Sequence, residues 1–284
     1  MIVFKRIADV QEYLAGQRKN GAPIGFIPTM GALHKGHISL VRQAKAEGNV
    51  TVCSIFVNPA QFNDKQDFDL YPNTVPDDIT LLEQAGCDIL FLPSVPEIYP
   101  QGAEKAAAYH FGSLETVFEG AMRPGHFNGV GKVMAILLRI VQPDALYMGS
   151  KDYQQCLVVK DLCRQMGLAD QVRFVACPTC REPDGLAMSS RNRRLNDSQR
   201  SLAGIIYQCL VSIQSKFESD SDFSIVQKEC LDLMAAKGFE TEYVSLADAA
   251  TLTPLAQYEP GRSMVALIAT RIGSVRLIDN MLLN

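Results

Sequence analysis

The chain has 284 residues, 47% of them hydrophobic and 20% charged, with a formal net charge of −4 at pH 7. That apolar fraction suits one large or two modest hydrophobic cores and excludes a disordered or fibrous chain. The acidic balance argues against a nucleic-acid partner, which selects a basic face, and no stretch has the length of a membrane span or the pattern of a signal peptide, so the expectation is a cytoplasmic protein with small-molecule partners.

In chain order, Ile24–Ile27 has the length of a buried strand, and Ile38, Leu40, Val41 and Ala44 recur at helical spacing. Between them lies Pro28-Thr29-Met30-Gly31-Ala32-Leu33-His34-Lys35-Gly36-His37. His34 and His37 therefore fall at a helix N-terminus, where unpaired backbone N–H groups and the macrodipole favour an anion, and residues three apart share one side of the turn. Gly36 lets the backbone approach a ligand, and Thr29 adds a hydroxyl. Taken singly, each histidine reads as an ordinary loop or helix-opening residue. The pair, directly after a strand, reads as a place for a nucleotide phosphate.

Val50–Val57 follows as a second buried strand, closed by the turn Asn58-Pro59-Ala60-Gln61. A helix is predicted over Thr74–Ala85, with Asp77 and Asp78 in its first turn and Gly86 as its stop. Ile89–Leu92 reads as a core strand and Pro93–Gly102 as a surface loop. Helix Val130–Val141, strand Ala145–Met148, the polar turn Gly149–Asp152, helix Tyr153–Met166 and strand Val172–Ala176 complete a β-α alternation. This predicts an α/β fold, a Rossmann-like doubly wound parallel sheet over residues 1–176, with ligands at the carboxyl ends of its strands. Beyond it the pattern changes to helices over Asp197–Phe217 and Ser224–Lys237 and strands at Glu242–Leu246, Met264–Ala269 and Val275–Ile278. Residues 177–284 accordingly read as a smaller C-terminal α+β domain.

Lys151, at a strand end, places a flexible ammonium where it can reach a phosphate, and Met188-Ser189-Ser190-Arg191 sets two hydroxyls beside a guanidinium fork. Each alone also reads as an ordinary solvated group on a loop. The eight cysteines are scattered through apolar segments, as expected of reduced thiols. Only Cys177 and Cys180 have metal-ligand spacing, and no companion pair accompanies them, so no metal site is expected there.

Together, His-x-Gly-His (34–37), Asn-Pro-x-Gln-Phe (58–62), Arg-Pro-Gly-His-Phe (123–127), Lys-Asp-Tyr-Gln-Gln (151–155) and Met-Ser-Ser-Arg-Asn (188–192) resemble, in this order, the pantothenate synthetases. His-x-Gly-His alone marks only the wider nucleotidyltransferase superfamily. The resemblance runs from about Gly25 to Leu195. It implies ATP-dependent joining of pantoate and β-alanine through a pantoyl adenylate, releasing pyrophosphate and then AMP, with Mg²⁺ alongside ATP and a homodimer as the assembly. By the same resemblance Met30, Gly31, Ala32, Leu33, His34, Lys35, Gly36 and His37 line the ATP site. Gly149, Ser150, Lys151 and Asp152 hold ribose and phosphate, and Cys180, Met188, Ser189, Ser190 and Arg191 complete it. Gln61 and Gln155 hold pantoate with Asn58 in support, and Glu119 and Arg123 match a polar pair near that pocket. The family usually has glutamate at position 150 and an aliphatic residue at position 180.

His34, His37 and Lys151 suit such chemistry as donors to the charge that grows on phosphorus. A nucleotidyltransferase acting on a phosphate ester would share the histidine turn, and a nucleotide-sensing module would share the fold. Gln61 with Gln155 and the second domain disfavour the former. The retained histidines, Lys151 and Arg191 disfavour the latter.

Overall fold

The computed structural model describes residues 1–62, 68–69, 71–218, 222–259 and 261–283. Contacts divide the chain into two units, Met1–Ser150 with Gln155–Pro178, and Lys151–Gln154 with Thr179–Asn284.

The first unit carries a six-stranded parallel sheet. Its strands are β1 (Ile2–Phe4), β2 (Ile24–Thr29), β3 (Val50–Ile55), β4 (Ile89–Phe91), β5 (Ala145–Gly149) and β6 (Arg173–Cys177), in the order β1-β4-β3-β2-β5-β6. The four inner strands, β2 to β5, are mostly buried along their length because both of their faces are covered, whereas the edge strands β1 and β6 are partly exposed. Ile24, Phe26, Val52, Ile89, Phe91, Leu146 and Met148 pack into one core with the helices Ile7–Lys19, His126–Val141 and Tyr153–Gln165. The alternate residues Ile27, Cys53, Ile55, Leu90 and Tyr147 pack into another with the helices Lys35–Ala46 and Val75–Gln84. The strand order reverses between β2 and β5, the switch point at which doubly wound sheets bind ligands. The histidine turn leaves β2 there and the Gly149–Asp152 turn leaves β5.

The second unit carries an antiparallel sheet of β7 (Phe239–Asp248), β8 (Pro254–Leu255), β9 (Met264–Ile272) and β10 (Val275–Leu283), ordered β10-β9-β7-β8. The helices Ile205–Glu218 and Phe223–Ala236 share its core, built around Ile206, Leu210, Phe223, Met234, Val244, Ala266 and Ile268. Among the described residues no helix is long and apolar enough to cross a membrane.

Several elements differ from the sequence expectation. The third strand ends at Ile55, two residues short of the expected Val57: Phe56 N–H still donates to the Thr29 carbonyl, and the chain then turns into Pro59–Gln61. Residues 93–102 are not a bare surface loop: the short helix Val95–Ile98 buries Ile98, and Tyr99 follows it into the core. The helix expected from Val130 starts at His126, after Gly125 in the left-handed conformation. The single helix expected over 197–217 is two, Asp197–Leu202 and Ile205–Glu218, and Gly204 lies at the break, where a Cβ would come 2.9 Å from the Asp184 carbonyl oxygen.

Candidate active site

The turn from β2 into the helix Lys35–Ala46 is shaped by two left-handed residues, Gly31 (φ 83°) and Ala32 (φ 49°). Gly31 suits the left-handed conformation, and space is tight as well, since a Cβ there would come 3.0 Å from Ile55 Cγ2. Several of the turn's N–H groups, which the sequence suggests are open for an anion, have acceptors within the protein. Ala32 and Leu33 N–H donate to the buried carboxylate of Asp78 at 2.9 and 2.7 Å. Gly31 N–H donates to Thr29 Oγ1, whose own proton goes to the Ser54 carbonyl, so Thr29 braces the turn. Asp78 is the residue whose role sequence reasoning missed, because its partners lie on another element.

The two histidine rings accept from two further donors. Gly36 N–H donates to His34 Nδ1 at 3.2 Å and His34 N–H to His37 Nδ1 at 3.3 Å, a reciprocal cap of the helix. A ring nitrogen that accepts carries no proton, so each neutral imidazole holds its proton on Nε2. The rings stand 4.1 Å apart between centroids, both half-buried. Both Nδ1 atoms are thus spent on the turn's own backbone, which leaves Nε2–H as the donor of each ring. Met30 and Gly36 are half-buried and Lys35 exposed, while Gly31, Ala32 and Leu33 are buried as backbone scaffold.

A second group of side chains gathers at the 3-10 turn Pro59–Gln61. Gln61 is buried, its Nε2 lying 2.8 Å from Met30 Sδ, so the structure brings the proposed pantoate amide against the proposed nucleotide turn. Asn58 Nδ2 donates to Gln61 Oε1 at 3.0 Å and to the Gly129 carbonyl at 3.1 Å, while Tyr99 donates to Asn58 Oδ1 at 2.8 Å. Burial pushes the Tyr99 phenol above its ordinary range, so it stays a donor. His126 Nδ1 lies 2.7 Å from the Gln61 carbonyl and its Nε2 lies 3.1 Å from Arg123 Nη1. A guanidinium only donates, so Nε2 accepts and Nδ1–H donates to Gln61. Arg123 thereby acts on Gln61 through His126, and Glu119 accepts Arg123 N–H with its carbonyl at 2.9 Å. Tyr99 and His126 escaped the sequence reading: the first lay in an apparent loop, and the second was visible only as part of a motif. Gln155 stands half-buried near the start of the helix Tyr153–Gln165.

Gly149 and Ser150, both half-buried, end β5 and open the next turn in the first unit. In the second unit, half-buried Lys151 has Nζ 3.5 Å from the Asp152 carboxylate. Its carbonyl accepts from Asn280 Nδ2 at 2.8 Å, which ties the lysine's backbone to β10. Met188 N–H donates to the Cys180 carbonyl at 2.9 Å, so these two positions pair as a hairpin flanked by the Arg181–Ala187 bridge. Ser189 Oγ caps the Ser190–Arg194 turn by accepting Arg191 N–H at 3.3 Å. Ser190 is buried and Arg191 half-buried. Cys177 is buried at the end of β6, its thiol pushed up to about 11 by burial, whereas Cys180 is half-exposed, and both are free thiols.

The family model for pantoate–β-alanine ligase matches residues 2–282. A pantothenate synthetase of Herpetosiphon aurantiacus is 43% identical over 96% of this chain and 98% of its own length. One from Bacteroides thetaiotaomicron is 43% identical over 99% and 98%. Among solved structures, pantothenate synthetase from Thermus thermophilus superposes with a TM-score of 0.89 at 37% identity, covering 99% of each chain. The pantoate–β-alanine ligase of Francisella tularensis, complexed with beta-gamma ATP and beta-alanine, gives 0.82 at 36% identity over 99% of this chain and 97% of that one. A parallel sheet with its histidine turn at the switch point, an antiparallel second unit and a full-length match agree, and the chain belongs to the pantoate–β-alanine ligase family.

Proposed function

We propose that this chain joins pantoate to β-alanine in two steps driven by ATP, using the residues described above. In the first, a pantoate carboxylate oxygen attacks the α-phosphorus of ATP, the bond to the bridging oxygen breaks and pyrophosphate leaves. In the second, the neutral amine of β-alanine attacks the acyl carbon of the adenylate, AMP leaves with the acyl C–O bond pair, and the amine gives up a proton. The observation that supports this reading is the contact of Gln61 with Met30, the residue that opens the turn carrying the two imidazoles. It brings an amide suited to a hydroxy acid against the turn whose rings suit a phosphate.

His34 and His37 donate to the α-phosphate oxygens as charge grows there, and Lys151 adds a mobile ammonium. The turn 30–37, with Gly149, Ser150, Lys151, Asp152, Cys180, Met188, Ser189, Ser190 and Arg191, forms the ATP-binding set. Asn58, Gln61 and Gln155 form the pantoate and β-alanine set. In this division residues 1–176 are the nucleotide-binding domain and 177–284 the smaller domain. Mg²⁺ fits this chemistry as a hard cation that takes phosphate oxygens and water, and when bound it neutralises the β- and γ-phosphates. The protein is proposed to work in the cytoplasm as a homodimer.

The deciding experiment is exchange of labelled pyrophosphate into ATP with pantoate and Mg²⁺ present and β-alanine absent. Pantoate-dependent exchange is expected, and added β-alanine should yield AMP and pantothenate in equal amounts. Folded, ATP-binding protein that shows no such exchange would exclude pantoate adenylation and leave the phosphate-ester and sensing readings standing.

A further inference from the structure

The carboxamide of Asn58 is satisfied at all four of its hydrogen-bonding positions. Ala60 N–H reaches Oδ1 at 3.2 Å, and a backbone N–H only donates, so that atom is the oxygen. Nδ2 lies 3.1 Å from the Gly129 carbonyl, which only accepts, so that atom is the nitrogen. The second amide proton goes to Gln61 Oε1 at 3.0 Å, and the second lone pair takes the Tyr99 hydroxyl at 2.8 Å. Asn58 is 1% exposed and Tyr99 5%, so no water competes freely for these bonds. Gln61 is oriented in turn. Its oxygen is held by Asn58, and Nε2 faces Met30 Sδ at 2.8 Å, a weak acceptor that a substrate oxygen surpasses.

We propose that Tyr99 is a positioning residue for pantoate: through Asn58 it keeps the Gln61 carboxamide turned with Nε2 as a donor, so that this position reads an acceptor oxygen of the hydroxy acid. The inference rests on the assignment of pantoate to Gln61. Backbone groups choose the orientation of Asn58, and the Tyr99 hydroxyl secures it. Without that hydroxyl a buried lone pair is left short of a donor, and the Asn58 amide gains freedom to tilt away from Gln61.

The test is a double-mutant cycle on KM for each substrate, with Tyr99→Phe, Gln61→Ala and the pair. Loss of one buried hydrogen bond is expected to raise the pantoate KM of Tyr99→Phe by about three- to tenfold and to leave that for ATP within about twofold. In the Gln61→Ala background the same substitution should change the pantoate KM by less than about twofold, because it has nothing left to act through. Equal factors in both backgrounds, or pantoate and ATP constants that move together, overturn the relay. A pantoate KM unchanged in Gln61→Ala overturns instead the underlying assignment of pantoate to Gln61. Asn58→Asp cuts the relay independently of whether Tyr99→Phe folds: a carboxylate there only accepts, so Gln61 Nε2 turns inward to meet it. That variant is expected to raise the pantoate KM more than Tyr99→Phe does, and an unchanged value overturns the relay.

Discussion

The two units hold their polar groups by different means. In the first, the proposed site is set mostly by neutral amides, imidazoles and backbone groups, with the carboxylate of Asp78 closing the histidine turn and the Arg123 guanidinium holding His126. In the second, guanidiniums do most of the holding: Arg181 forks onto Asp279 at 2.6 and 3.1 Å, Arg276 pairs with Glu242, and Arg262 joins Asp248 to Glu259. Neutral networks fix the direction of each donor and respond little to salt, whereas ion pairs carry charge that pH and ionic strength can reach.

The largest expected effect breaks the charged side of that contrast. The Asp279 side chain is 2% exposed, and burial pushes its carboxyl up even though the Arg181 fork pulls the other way. Arg181→Met leaves that carboxylate without its partner and is expected to destabilise the protein by about 3–5 kcal/mol near neutral pH. A buried acid with a raised folded pKa destabilises the folded state as pH rises from its unfolded value through its folded value. The deficit of Arg181→Met should therefore shrink on acidification, and thermal melts of variant and parent at pH 7 and pH 5 measure it. A deficit that grows toward pH 5 would contradict the assignment of the cost to Asp279.

Next come the two proposed phosphate donors, His37 and Lys151. His37→Ala and Lys151→Ala are each expected to lower turnover by on the order of a hundredfold or more, as for loss of a transition-state donor. Melting temperatures should barely move for Lys151→Ala. They should fall slightly for His37→Ala, because His34 N–H loses its acceptor. Near-parental turnover in either variant would remove that residue from the mechanism.

These contrasts mark what the sequence reveals. Ile24–Ile27 and Ile89–Leu92 announce buried strands because four apolar residues in a row between turns have few alternatives. The strand Ile2–Phe4 does not, since two of its three side chains are exposed, and the helix Ile7–Lys19 buries only Val10 and Leu14. His34, His37, Asn58 and Gln61 are visible because their motifs are local. Their supports are not: Asp78 stands 46 residues from Ala32, Tyr99 stands 41 from Asn58, and His126 stands 65 from Gln61. Local pattern showed which groups could meet substrate, and only the fold shows which way they are turned. The N–H groups of the histidine turn make the same point, for their engagement by Asp78 and by the rings themselves is invisible in a string of letters.

A glycine pair sharpens the neutral side. At Gly129 a Cβ would come 2.1 Å from the Ala60 carbonyl oxygen, backbone that cannot swing aside, whereas at Gly16 nothing lies within 4 Å. Gly129→Ala must push apart the helix His126–Val141 and the turn that carries Gln61, so it is expected to cost about 1–3 kcal/mol and to raise the pantoate KM more than that for ATP. Gly16→Ala, inside the helix Ile7–Lys19, should stabilise by about 0.4–1 kcal/mol with both constants unchanged. Opposite signs in denaturant midpoints check the pair. A neutral Gly129→Ala would mean that the close approach is not needed to place Gln61.

The smallest effect returns to charge, at a pair that solvent reaches from the arginine side. Arg262 Nε lies 2.7 Å from Asp248, whose carboxylate also accepts from Ala250 and Thr251 N–H, and its pKa is lowered to about 2, chiefly by Arg262. An acid whose folded pKa is depressed adds stability above its unfolded pKa and loses it as pH falls through the folded value. The window therefore runs from about pH 4, the ordinary range of an aspartate, down to about 2. Arg262 is 37% exposed, so solvent screens the pair and its contribution to stability should be small. Asp248→Asn keeps an oxygen for the turn and cannot titrate. Its melting temperature should fall less steeply than the parent's between pH 4 and pH 2, with a small deficit at pH 7 that shrinks in salt. Parallel profiles across that window would show that the turn, held by its backbone donors alone, draws nothing from the arginine, and that charge in the second unit matters only where it is buried.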